Sequence, residues 1–264
     1  MSESTAPVLL TLDDGVAHIQ FNSPKTLNAI DSRMARAFRE IVIKQLASSD
    51  VRAVLLTGEG RAFMAGGNLQ DFLDDLPNAP QTACQIIDPL HEALAALAEG
   101  DAPVIAAVHG AVAGAGLSLA LGSDLVVAAE STRFVPAYAR IGACQDGGGS
   151  WALPRLVGMH KAMEMMLLAE PFDAQQALGL GIVNRVVPDA DLGRESLALA
   201  RQLATGPTKA YGQIRRQLRG SMCRSLEEQL RREREGFTAC AATRDFAEGT
   251  TAFFQKRAAR FVGS

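Results

Sequence analysis

The sequence lacks the features that mark a metal centre, a disulfide scaffold or a membrane protein. Its four cysteines, Cys84, Cys144, Cys223 and Cys240, are scattered, with no C-x-x-C pair and no companion histidine cluster. That spacing argues against a disulfide framework and against a metal site, and reduced thiols fit the cytoplasm. The longest apolar stretches are broken by Gly, Ser or Asp well short of the roughly 20 residues a membrane span needs. The opening M-S-E-S-T-A-P has neither the basic nor the apolar region of a secretory leader. Charge of one sign is lacking too. A net −3 and a pI near 5.9 give no general attraction for nucleic acid or an anionic membrane, so any polyanion has to be met by local positive groups. The expectation is a cytoplasmic protein with no metal, no nucleic-acid partner and no membrane partner.

What is present is apolar bulk. With 264 residues, 48% of them hydrophobic, and a mean hydropathy of +0.07, the chain can bury a substantial core as one large domain or as one domain with an appendage. Residues 102–129, A-P-V-I-A-A-V-H-G-A-V-A-G-A-G-L-S-L-A-L-G-S-D-L-V-V-A-A, organise the rest. They predict a strand at Val104–Val108, a loop of small residues, a buried helix and a strand at Leu125–Ala129. Gly110, Gly114 and Gly116 permit positive φ and a close approach to the main chain. Such a loop turning into a helix presents unpaired N–H groups, which suit an oxygen that becomes negative during a reaction. Close packing of helix on strand would explain the same glycines.

A second stretch bears on that choice. Residues 61–69, R-A-F-M-A-G-G-N-L, follow the strand-like residues 53–57 and again place small residues where a helix is about to start. In A-F-M-A-G-G-N-L and H-G-A-V-A-G-A-G-L-S-L-A the chain resembles the two oxyanion-hole segments of the enoyl-CoA hydratase/isomerase (crotonase) family. The resemblance extends to P-K-T-L-N-A-I at 24–30, D-G-G-G-S-W-A-L-P-R-L-V-G at 146–158, A-L-G-L-G-I-V-N-R-V-V at 177–187 and A-E-G-T-T-A-F-F-Q-K-R at 247–257. It implies an α/β crotonase fold of repeated β-β-α spiral units over residues 1–190. A helical trimerisation region over residues 191–264 would follow, assembling a homotrimer or a dimer of trimers. The implied substrate is an acyl-CoA, whose coenzyme A is part of the substrate, so no separate cofactor is expected.

The resemblance also assigns roles. The N–H groups of Gly67 and Ala115 would hold the thioester oxygen. Lys25, Leu27, Ala29, Ala65 and Leu69 would line the CoA site, and Phe237 and Lys256 would reach the CoA of a neighbouring subunit, where stacking plus a cation suits an adenine nucleotide. Lys25 reads equally well as a solvated surface charge. The family's hydratases hold a water between two glutamates, but counting along the motifs puts Ser118 and Tyr138 at those positions. Asp146 is the remaining acid in the pocket-forming segments. It could cap a helix beginning near Ser150. By resemblance it could be the acid/base of ring-modified and Δ3-Δ2 enoyl-CoA isomerases, or the nucleophile of 4-chlorobenzoyl-CoA dehalogenases. An isomerase is therefore expected ahead of a hydratase or a non-catalytic acyl-CoA binder.

The remaining segments predict a hairpin of residues 8–12 with Val16–Phe21 across D-D-G, and a helix from Asp31 or Ser32 to about Ala47 carrying Leu46 on its apolar face. They also predict a mobile connection over 72–80, a helix from about Thr82 to Ala98 carrying His91, and a strand over 182–187. His91 reads as packed or solvated more readily than as catalytic, and His109 as a structural hydrogen-bonding group. Gly206-Pro207, Gly220 and Gly236 read as punctuation between C-terminal helices, and the Arg-rich run from Arg215 to Arg234 as a solvated, ion-paired face. G-L-S-L-A at 116–120 is a near miss to the α/β-hydrolase elbow, with Ser118 as nucleophile and His160 as the available later histidine.

Overall fold

The computed structural model describes residues 6–45, 48 and 50–264. Asp14 and Gly15, both at positive φ, turn β1 (Val8–Asp13) back on β2 (Val16–Phe21) as an antiparallel pair. This is the hairpin that D-D-G predicts. From β2 onward the chain repeats one pattern, a strand in the main sheet, a short extended piece in a second layer, then a helix. After β2 the piece is Ile30, which bridges Gly67, and α1 (Ser32–Gln45) follows, its first turn capped where the Asp31 carboxylate accepts the Met34 N–H at 2.7 Å. After β3 (Ala53–Gly58) it is Met64, bridging Val112, before α2 (Leu69–Leu73) and α3 (Ala79–Glu99). After β4 (Val104–Val108) it is β5 (Ala111–Ala113), then α4 (Ala115–Gly122). After β6 (Leu125–Ala129) come β7 (Arg133–Val135), a 3-10 turn at Tyr138–Ile141, α5 (Gly149–Val157) and α6 (Met159–Leu168). β8 (Phe172–Asp173), α7 (Ala174–Gly179) and β9 (Arg185–Val187) close the series.

The main sheet runs β1-β2-β3-β4-β6-β9, parallel from β2 onward, and the second layer is β5-β7-β8. The architecture is thus the expected α/β spiral of β-β-α turns. Successive side chains of a strand point to opposite faces. Val54, Leu56, Val104, Ala106, Val126 and Ala128 therefore pack into one core with α1, α3 and α4. Leu55, Ile105, Ala107 and Val127 pack into another beneath α8 (Leu192–Ala204), which contributes Leu192, Leu199, Ala200 and Ala204. Burial on both faces is why these strands read as continuous apolar runs. The boundary expected at residue 190 falls just before a helix that covers the sheet.

Several local expectations differ from the structure. The loop of small residues before α4 contains β5, whose three residues are too few to register as a strand pattern. α3 begins at Ala79 rather than near Thr82, because Pro80 sits in the first turn, where an N–H is not needed. The connection over 72–80 is structured by the end of α2 and a 3-10 turn at Leu76–Asn78. β9 starts at Arg185, not Ile182: Ile182 and Val183 are buried, but pairing with β6 begins at Arg185, opposite Val127. The helix end expected at Ala47, with Leu46, lies outside the described residues.

The C-terminal part consists of α9 (Thr208–Ser221), α10 (Leu226–Ala241) and α11 (Arg244–Gln255). Gly206-Pro207 does separate α8 from α9, but Gly220 lies inside α9 and Gly236 inside α10, where Gln213 and Gln217 crowd its missing side chain. The arginine run is not one solvated face. Arg215 is buried: it donates to Leu97 O at 2.8 Å and to Gly100 O, and its Nε lies 2.7 Å from an Asp124 oxygen. Arg216 bonds Glu99 O and Asp101, and Arg219 bonds Gly122 O and Asp124. Arg215 and Arg216 satisfy carbonyls at the end of α3, and Arg219 one at the end of α4, that the helices leave without intrahelical donors. Burial works against the Asp101 charge, but hydrogen bonds from Lys209 and Arg216 outweigh it and hold that carboxyl below its ordinary range. No helix among the described residues is long and apolar enough to cross a membrane.

Candidate active site

Two loops meet between the main sheet and the second layer. The first, after β3, is pinned by backbone bonds from Phe63 N–H to His109 O (2.9 Å), Met64 N–H to Ala111 O (3.2 Å) and Ala113 N–H to Met64 O (2.9 Å). Ile30 holds its far end, donating to Gly66 O at 2.7 Å and accepting from Asn68 N–H at 2.9 Å. In that parallel bridge the residue between the two contacts, Gly67, turns its own N–H to the opposite side. There, among the described residues, nothing accepts it.

The second loop leads into α4. Its cap residue Gly114 has φ 49° and ψ −119°, which a side chain would strain, and Ala115 is the first helical residue. The Ala115 N–H likewise has no acceptor among the described residues, as expected of a first-turn amide. Glycines set the distance between the loops. A Cβ on Gly66 would stand 3.4 Å from Ala113 O, and one on Gly114 would stand 3.4 Å from Gly66 Cα. On Gly116 it would run into Met64 O and come within 2.8 Å of Met64 Cβ. Gly67 differs: nothing lies within 4 Å of where its Cβ would be. Both explanations of the glycines are met, close packing at Gly66, Gly114 and Gly116 and free amides at Gly67 and Ala115.

The group around Asp146 lies beyond α4. Tyr138 Oη donates to Asp146 Oδ1, and Ser118 Oγ is 3.3 Å from Tyr138 Oη. Burial first, then the Asp146 charge and this hydrogen bond, push the Tyr138 phenol well above its ordinary range, so it stays a donor. Asp146 does not cap α5. The capping position belongs to Gly148, at φ 78°, and no side chain accepts the first-turn amides. Gly147 and Gly149 let this loop lie directly on Ser118; a Cβ on Gly149 would be 2.6 Å from Ser118 Oγ. His91 reaches the loop from α3, its Nε2 accepting the Gly147 N–H at 3.0 Å. It is therefore neither merely solvated nor packed, but braces the residue after Asp146. His109 hydrogen-bonds Gly60 O at 2.9 Å, a structural contact as expected. Ser118 is buried with Tyr138 as its partner, while His160 is exposed on α6, so the hydrolase elbow has no base.

The expected CoA-site residues fall in two groups. Lys25 is exposed on a 3-10 turn at Pro24–Thr26, and Leu27 follows at φ 55°. Leu27 O accepts Ala65 N–H at 3.0 Å and Ala29 N–H bonds Thr26 O, so Leu27, Ala29 and Ala65 adjoin Gly67; Leu69 opens α2 and is half-exposed. Asn28 is the residue the sequence motif conceals. Fully buried at φ 56°, it accepts Ser23 N–H and donates to Glu59 O and Ala62 O, locking this turn to the first loop. Its signal was an asparagine in a tight turn, a type that tolerates the left-handed region. Phe237 stacks edge-on against Phe246 on the C-terminal helices, and Lys256 caps α11.

A model of the family described as enoyl-CoA hydratase/isomerase matches residues 11–264. The chain is 38% identical over 261 residues to the 1,2-epoxyphenylacetyl-CoA isomerase of Escherichia coli, covering 97% of this chain and 98% of that protein. It is 37% identical over 252 residues to a Rhodobacter capsulatus protein named "Probable enoyl-CoA hydratase", covering 96% of each. Among solved structures, an enoyl-CoA hydratase from Polaromonas sp. JS666 superposes with a TM-score of 0.91 at 35% identity, covering 96% of this chain and 99% of that one.

The loop geometry sets a contrast between two glycines. Gly116→Ala forces a methyl against Met64 and is expected to cost about 1–3 kcal/mol of stability. Gly67→Ala meets nothing and should stay within about 0.5 kcal/mol of the parent. Denaturant unfolding measures both, and equal losses would contradict the described packing.

Proposed function

The chain belongs to the enoyl-CoA hydratase/isomerase family, and on that premise we propose that it is an acyl-CoA isomerase that moves a proton along an enolate. The thioester oxygen is held by the N–H groups of Gly67 and Ala115. Asp146 removes a proton from C2 of a 3-enoyl-CoA, and the electron pair moves onto that oxygen. The same carboxyl returns the proton to C4 as the double bond forms between C2 and C3. Amides fixed beforehand, one by a strand bridge and one by the start of a helix, need not reorganise as charge develops, and losing one such donor costs about 10²–10³-fold in kcat.

The observation that carries this reading is the hydrogen bond from Tyr138 to Asp146, with Ser118 beside it. Hydration needs a water held between two groups able to take and give its protons. A serine and a phenol held as a donor do not supply that pair. A 1,3-proton shift needs a single carboxylate. A 3-enoyl-CoA should therefore become its 2-enoyl isomer with little net addition of water. Asp146→Asn should lower kcat by about 10²–10⁴-fold with acyl-CoA affinity retained. Ultraviolet and mass detection of the products decide the matter: efficient hydration of crotonyl-CoA by the parent, or full isomerase activity in the variant, would refute the assignment.

The CoA moiety runs past Lys25, Leu27, Ala29, Ala65 and Leu69, with Phe237 and Lys256 of a second chain completing the site in a trimer or dimer of trimers. Support comes from apolar side chains left in solvent: Leu218, Leu226, Phe253 and Phe254 are 69–79% exposed on the C-terminal helices. Light scattering at micromolar concentration should give three or six times the chain mass, and a monomer would refute the assembly.

A further inference from the structure

We infer that Tyr138 is a positioning residue that restricts Asp146 to proton transfer through one oxygen and keeps water off the other. The inference rests on the proposed isomerase reading and adds to it why the proton would stay with the enzyme. The Tyr138 hydroxyl stands between Ser118 Oγ and Asp146 Oδ1. Its single proton goes to the carboxylate, which can only accept, so the Ser118 hydroxyl must be the donor to Tyr138. Both hydroxyl protons then point one way, toward Asp146 Oδ1, and the phenol fills the place at that oxygen that a water would take.

The placement is built from both sides. The ring of Tyr138 lies by the second loop, its Cζ 4.0 Å from where a Cβ on Gly114 would be. Its carbonyl is held by the Ala143 N–H at 3.0 Å. The phenol therefore spans from the oxyanion loop to the acid and occupies the side of Asp146 facing Ser118. Oδ1 is engaged and Oδ2 has no protein partner among the described residues, leaving Oδ2 to break the C2–H bond and later deliver the same proton to C4. The electron pair travels from C2 to the thioester oxygen and back, and no co-reactant enters. Burial keeps the phenol protonated, and the Asp146 charge adds to this while the carboxylate is ionised.

The test is isomerisation of a 3-enoyl-CoA in heavy water by the parent, Tyr138→Phe and Asp146→Asn. Product deuterium is read by mass spectrometry, and circular dichroism confirms that each variant is folded. Tyr138→Phe removes one oxygen and opens its position to water, which finds polar partners in Ser118 Oγ and Asp146 Oδ1. The parent should return mostly unlabelled proton. Tyr138→Phe should bind acyl-CoA as before, turn over about tenfold more slowly and give product several times richer in deuterium. If Asp146→Asn is inactive and Tyr138→Phe matches the parent in rate and label, the positioning role is overturned and the isomerase reading stands. If the parent does not isomerise, or Asp146→Asn still does, both fall.

Discussion

Two backbone amides without acceptors among the described residues, Gly67 and Ala115, are the constraint on which the rest of the architecture depends. Leaving such groups unpaired inside a protein costs free energy, so the surroundings must hold them there. The first loop is tied to Ile30 on one side and to β5 on the other, and the second is fixed by the start of a helix whose residues 115–121 are all buried. The glycines at 66, 114 and 116 let these backbones come together with no side chain between them. The two-layer β-β-α spiral can be understood as the means of bringing the ends of β3 and β5 side by side.

Around that pair the structure arranges a single carboxylate under tight control. Asp146 is approached by Tyr138 from the 3-10 turn, and its neighbour Gly147 by His91 from α3. His91 must present an unprotonated nitrogen to accept that amide, which fixes its tautomer. The loop carrying Asp146 is thus braced independently of the loops carrying the amides. The amides of Gly67 and Ala115, which we propose as oxyanion donors, and the Asp146 carboxylate are positioned by different elements.

Much of this was legible in the sequence, and the parts that were not share a cause. The strands at Val104–Val108 and Leu125–Ala129 were plain, because burial on both faces leaves only apolar residues to choose from. Counting along the motifs also singled out Ser118 and Tyr138, which the structure brings within 3.3 Å of each other. The approach of Tyr138 to Asp146 could not be read there, nor that of His91 to Gly147 across 56 residues, because side-chain contacts between elements follow from packing rather than from local pattern. Arg215 shows the same limit: charge patterning marked it as solvated, whereas carbonyls at the end of α3 and the Asp124 carboxylate pull it into the core. Pro80 misled the start of α3 for a local reason, since a first-turn proline also reads as a loop signal.

The central claim is that Gly67 and Ala115 together polarise a thioester carbonyl. Raman difference spectroscopy of a bound, carbonyl-labelled acyl-CoA reads that polarisation directly, because hydrogen bonds to the oxygen weaken the C=O bond. A carbonyl band moved to lower frequency than in the free thioester, and moved back toward it in a folded Gly67→Pro variant that still binds, is the predicted result. A bound thioester whose carbonyl band stays where it lies in water would contradict the account.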